Sequence, residues 1–310
     1  MILHLSSTTS AEVAGEIDRL REKFGSVTLG KVLTLIVAAR TNEAIESALD
    51  AADGASVSHP CRVIAYLPDS QADTNEANLS AELRLGGEAG VSEVIILRPQ
   101  GGAGADPTSL LLPLLLPEAP VVVWWSEDAP ANPAKDPIGR LATRRITNTI
   151  ATTNPVPLLK DLAKNYSPGD TDMSWAGCTL WRGYLAAMLD EPPFEEIISG
   201  DVQGSLEHAS TYLIAAWLSL RLGVEVTLKD SQGFGMEKVT LSRKSGDLVL
   251  HRKVGDTIAS LVRPGRKTQR VRLDTRTQEN RLTEELQRLT PDVAYAQVLE
   301  AFGNGILPAC

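Results

Sequence analysis

Four short runs of nearly unbroken apolar, often β-branched residues constrain this chain most: "GKVLTLIVAAR", "CRVIAYLP", "SEVIILRP" and "APVVVWWS", all between Gly30 and Ser126. A strand with one wet face alternates apolar and polar side chains. A strand buried on both faces has no reason to alternate, and such strands belong to parallel sheets covered by helices. The intervening stretches supply the helices. Thr8, Thr9 and Ser10 offer N-caps for a helix over 11–23, with Val13, Ile17, Leu20 and Phe24 on its apolar side. Thr41 or Asn42 caps "EAIESALDAAD", and Gly54 stands where that helix is expected to end. Asp106 and Pro107 open a further helix over 109–116, although Pro113 works against it. Residues 81–90, "AELRLGGEAG", fit a short helix or an extra strand, while "RRITNTI" (144–150) reads as a strand followed by a helix near 156–163. Strands alternating with helices in this way predict a Rossmann-like α/β domain with a mainly parallel sheet.

The pattern changes after "YSPGDTD", where Pro, Gly and Asp cluster between periodic segments. A chain of 310 residues also exceeds what one core usually supports. The expected domains are 1–168, Rossmann-like, and 169–310, α+β. The second part opens with a helix over 175–189, continues with "FEEIISGD" as a strand, and then has a long helix closed by Gly223. Short alternating runs follow: "VEVTLKD", "EKVTLSRKSGDLVLHRK", "TIASLVRPG" and "TQRVRLDTR". They predict an antiparallel sheet with a hairpin at Ser245-Gly246. Helices over 278–289 and 292–302 end the sequence.

Composition narrows the function classes. A net charge of −9 argues against a general nucleic-acid binder. The most apolar stretch, 110–125, holds three prolines and falls short of the about 20 residues a spanning helix needs. The N-terminus lacks the basic and apolar regions of a secretory signal. Cys61, Cys178 and Cys310 are too few and scattered for a disulfide framework or a zinc site, and a reduced, cytoplasmic setting is expected. His4, His59, His208 and His251 show no ligand spacing, so no metal is expected. "GGAGAD" (101–106) departs from both G-x-G-x-x-G and the P-loop, and reads more simply as a βα connection. Glu195-Glu196 points to opposite strand faces rather than to acid/base work. No catalytic or cofactor-binding residue is assigned.

Three features stand out as partner contacts. From Arg243 to Arg276 ten Lys or Arg face three Asp, a local +7 that leaves −16 for the remainder. Within it Arg270, Arg272 and Asp274 share one strand face, either a solvated surface or a basic platform for an acidic protein or a phosphorylated metabolite. Trp124 and Trp125 end a buried strand, where open α/β sheets gather ligands; one indole belongs to the core and the other suits a ligand or partner wall. In "TDMSWAGCTLWRGYLAAMLD" the spacing puts Trp175, Cys178, Trp181, Leu185, Met188 and Leu189 on one apolar face. Arg182 projects into that arc, so its charge calls for a carboxylate, an indole face or a bound anion.

The blocks "DMSWAGCTLWR", "PLLLPEAPVVVWW", "DPIGRLATRRIT" and "GKVLTLIV" resemble the actinobacterial OpcA proteins, which are glucose-6-phosphate dehydrogenase assembly or activator proteins. The likeness runs nearly end to end, with Gly177 where the family often has a basic residue. It implies a non-enzymatic partner that binds the dehydrogenase, promotes its active oligomer and raises its activity in the oxidative pentose phosphate pathway. No cofactor is implied. Arg144 and Arg145 of "RRIT" then join Trp125, Arg182, Arg270 and Arg272 as candidate partner contacts. The competing expectations are an enzyme or a metabolite- or nucleotide-binding sensor built on the Rossmann-like domain, and a scaffold that binds without activating.

Overall fold

The computed structural model of the chain describes residues 1–24, 30–68, 77–85 and 93–305. In chain order the elements are β1 (Ile2–Leu5), α1 (Ser10–Phe24), β2 (Leu33–Ala38), α2 (Asn42–Ser56), β3 (Cys61–Tyr66), β4 (Asn78–Leu85), β5 (Glu93–Gln100), α3 (Pro107–Leu111), β6 (Val121–Trp125) and β7 (Arg144–Thr147). They continue with α4 (Pro155–Asn165), β8 (Asp170–Asp172), α5 (Met173–Gly177), α6 (Thr179–Leu189), β9 (Ile197–Gly204), α7 (Ala209–Leu222) and β10 (Val226–Asp230). The remainder is β11 (Met236–Arg243), β12 (Leu248–His251), β13 (Ile258–Val262), β14 (Gln269–Arg272), α8 (Gln278–Gln287) and α9 (Val293–Gly303).

Contacts divide the chain into two compact units, each assembled from separate stretches. The first holds 1–151, 167–171 and 277–291; the second holds 152–166, 172–276 and 292–310. These units differ from a single cut at 168 in where they place α4 and α8. Helix α8 packs on α2 within the first unit, and α4 packs on α7 and α9 within the second.

The first unit is built on a mixed sheet of order β1-β4-β5-β3-β2-β6-β7-β8. Strands β5, β3, β2, β6 and β7 run parallel, while β4 is antiparallel to β5 and β1 to β4. Every residue of β2, β3 and β6 is buried, the consequence of covering both faces that their unbroken apolar runs require. Ile95, Ile64, Ile36 and Val123 form one cross-sheet row and pack with Val13, Ile17 and Leu20 of α1. Each such fully buried aliphatic side chain contributes about 1.5–3 kcal/mol. Thr9 starts α1 through a capping box: its hydroxyl accepts from the Glu12 amide, and Glu12 accepts from the Thr9 amide.

One open local alternative resolves to the extra strand, and other local expectations are corrected. Residues 81–85 lie in strand β4, and 86–90 lie outside the described residues. Helix α3 covers only Pro107–Leu111, because Pro113 cannot donate and the chain tightens into a 3₁₀ turn over Leu112–Leu114. The strand foreseen over 144–150 stops at Thr147. Gly54 does not end α2, which runs on to Ser56; a β-carbon at Gly54 would lie 2.3 Å from Glu279 Cδ of α8.

The second unit is built on a sheet of order β10-β9-β11-β12-β13-β14. It is antiparallel except for the pair β9/β10, joined through helix α7. Val202, Val239, Leu250 and Leu261 lie in register on its buried face, within a core that includes Leu213, Leu218, Val298 and Phe302. Gly223 ends α7 in the left-handed region, φ 68°, as the sequence anticipates. Gly246, φ 115°, turns the β11–β12 hairpin. The helix read over 175–189 is broken: Cys178 donates its amide to Trp175 in a tight turn, and α5 gives way to α6. No helix among the described residues is long and apolar enough to cross a membrane.

Candidate functional site

In the first unit the chain lays down β2, β3 and β5 in one direction and then returns beside β2 with β6 and β7. Strand order reverses between β2 and β6, the point at which open α/β sheets bind ligands. A crevice of about 580 Å³ opens there at the C-terminal strand ends. Tyr66, Trp125 and Ile138 form apolar walls, and Arg40, Glu127, Asp128 and Asp136 supply charge. Trp125 is 5% exposed, so only a sliver of its indole reaches the opening.

Backbone amides at this edge are taken by the protein's own carboxylates. Glu127 Oε1 accepts from the Arg40 amide at 2.6 Å and the Thr41 amide at 2.8 Å, at the start of α2. Asp106 accepts from Thr108 and Ser109 at the start of α3. Asp136 accepts from Ile138 and Gly139. Asp128, held at φ 46° in the left-handed region, pairs with Arg40 Nε at 3.0 Å. Burial, then the negative charges of Asp136 and Asp106, push the Tyr66 phenol up to about 12. Gly139 permits the close passage of this loop: a β-carbon there would lie 1.8 Å from the Pro133 carbonyl oxygen and 3.2 Å from Trp125.

The structure places Arg144 and Arg145 inside the first unit. Arg144, 2% exposed, is ion-paired with Glu285 of α8 and donates to the Thr290 carbonyl at 2.9 Å. Arg145, 6% exposed, pairs with Asp170 and donates to the carbonyls of Ala142 and Pro168. Burial raises the carboxyls of both acids, with the neighbouring arginine opposing; Glu285 rises to about 6. Both arginines knit the unit together and present no partner-facing guanidinium, because each fork is turned onto internal acceptors.

In the second unit Arg182 finds the indole face anticipated as one of its three solutions. Its guanidinium carbon stands 3.6 Å from the Trp175 ring centroid, and Nη2 donates to Thr179 Oγ1. Trp175 donates to Asp292 Oδ2 at 2.8 Å and lies beside Tyr295. Trp181 lies under Arg252, which donates to the Leu273 carbonyl. The tryptophan pattern therefore builds a core. Asp292 and Glu285, the acids completing these buried clusters, were not singled out in the sequence; each sits near a helix end over 100 residues from its partner.

Arg270 and Arg272 are exposed on the edge strand β14. They pair with Ser260 and Ile258 of β13, on the sheet face opposite Leu250 and Leu261. Ile258 and Val262 of that face are 37% and 38% exposed. Arginine beside exposed aliphatic side chains is the composition of protein interfaces. Arg272 also pairs with Asp274 at 2.6 Å.

Cys61 and Cys178 are buried, and burial pushes the Cys61 thiol up to about 12; Cys310 lies outside the described residues. Among the described residues no group of three or more His, Cys, Asp or Glu could hold a metal ion.

No match is found among curated protein sequences. Among solved structures, an oxidoreductase from Thermotoga maritima shares 13% identity, covering 88% of this chain and 95% of that one, with a TM-score of 0.41. Myo-inositol dehydrogenase from Lactobacillus casei, solved with NAD(H) and myo-inositol, shares 11% over 87% and 91%, with a TM-score of 0.38. At these scores neither likeness bears on fold or function. Two family models do match, in tandem: the glucose-6-phosphate dehydrogenase subunit N-terminal domain over residues 52–164 and its C-terminal domain over 168–299. With most of its length accounted for by these two domains in their order, the chain belongs to the OpcA family of glucose-6-phosphate dehydrogenase assembly proteins.

Proposed function

We propose that this protein, of the actinobacterial type, is a cytoplasmic, non-catalytic partner that binds glucose-6-phosphate dehydrogenase, favours its active oligomer and raises its turnover. The observation that carries this reading is the tandem of family domains along the chain. An activator of this kind works by binding the active state more tightly than the inactive one. The open face of the second unit's sheet is the docking surface, with Arg270 and Arg272 as its charged contacts and Ile258 and Val262 as its apolar ones. The rival reading, a nucleotide or phosphorylated-metabolite sensor, is disfavoured by the carboxylates of Glu127, Asp106 and Asp136 on the amides that would receive phosphate.

Purified dehydrogenase mixed with this protein is expected to co-elute with it and to turn over faster. Arg270→Glu with Arg272→Glu is expected to weaken binding more than about tenfold, since opposed interface charges cost several kcal/mol. Absence of co-elution with the native chain refutes the reading. Co-elution without activation identifies a scaffold, and full binding by the double variant moves the interface elsewhere.

A further inference from the structure

We propose that the crevice at the β2/β6 switch point is a receptor for one cationic side chain, an arginine or lysine, presented by a partner protein. Its volume, about 580 Å³, accommodates a long side chain and some of its backbone. Among the described residues its charged lining is Arg40 against Glu127, Asp128 and Asp136. The amides that would welcome an anion are already occupied, so an entering phosphate would have to displace Glu127 and would meet Asp128 and Asp136. A guanidinium or ammonium meets the reverse: carboxylates at the rim and the rings of Trp125 and Tyr66 on the walls. Burial is the main reason the Tyr66 phenol is pushed up, and the negative charges of Asp136 and Asp106 add to it in the same direction. A fold position that usually selects nucleotides is thus inverted in sign by residues of the chain itself. This site is distinct from the sheet face proposed above, and its test requires no dehydrogenase.

The probe is an acetylated, amidated tri-arginine peptide titrated calorimetrically into the full chain at low ionic strength, beside tri-glutamate and ATP. Saturable binding of tri-arginine alone is expected. Asp128→Asn with Asp136→Asn should weaken it at least tenfold, while the carboxamide introduced at position 136 retains an oxygen for the Ile138 and Gly139 amides. A charge-matched control, Asp50→Asn with Asp161→Asn at exposed helix positions, should leave it unchanged. Asp128→Asn alone, at a side chain 63% exposed, should still weaken it severalfold if the double variant folds poorly. Equal weakening in the control, no binding by the native chain, or saturable ATP binding would each overturn the proposal.

Discussion

The buried pair Arg144–Glu285 makes an asymmetric prediction. The two side chains are 3% and 4% exposed and join β7 to α8 inside the first unit. Glu285→Met leaves a guanidinium that cannot lose its proton, at a cost of about 3–5 kcal/mol. Arg144→Met leaves a carboxyl that can take one up. Burial already raises Glu285 from 4.5 to about 6, which at about 1.36 kcal/mol per pH unit costs the folded state about 2 kcal/mol at neutral pH. Without Arg144 the carboxyl rises further, but at pH 7 its penalty is capped once it is protonated, so the added loss is only about 1–2 kcal/mol. Arg144→Met with Glu285→Met removes both charges and should recover most of the loss. The linkage has a definite sign: a carboxyl with a raised folded pKa binds more protons folded than unfolded. Its contribution therefore falls as pH rises between about 4.5 and 6 and is level above that. Urea unfolding with amide exchange across α8 reads all four proteins, and the loss in Arg144→Met should shrink at pH 5.5. Equal losses in the two single variants, or a double variant as unstable as Glu285→Met, would refute the reasoning.

Gly139→Ala should destabilise the first unit by about 1–3 kcal/mol or more, because its β-carbon meets backbone oxygen at 1.8 Å, and the urea midpoint will show it. Arg182→Ala should cost about 1–2 kcal/mol of second-unit stability through loss of its stacking on Trp175, read by tryptophan fluorescence; no cost would remove that contact from the accounting. Cys61 and Cys178 should resist alkylation at pH 8 in the native chain and react on unfolding, since both are buried and the Cys61 thiol is pushed up to about 12.

Much of the fold is legible in the sequence because local periodicity reports burial. The unbroken runs in β2, β3 and β6 pointed to a covered sheet, and the short alternating runs from β11 onward announced an antiparallel one. Helix starts at Thr9, Thr41 and Asp106 were readable from capping chemistry, which acts over two or three residues. The same spacing sorted the face of Trp175, Cys178, Trp181, Leu185, Met188 and Leu189, of which the first five are buried and Leu189 is partly buried against the same core.

Periodicity says that a charge must be satisfied but is silent on which group does so. Glu127 reaches the Thr41 amide across 86 residues, and Arg144 meets Glu285 across 141. Those partnerships decide that "RRIT" is internal, that α8 belongs with the first unit, and that the amides beside the crevice are taken by carboxylates. Burial is imposed on a residue by its own chemistry and its neighbours in the chain. Pairing is imposed by whichever distant group the packed layers bring within about 3 Å, where desolvation makes an unmatched charge too costly to keep.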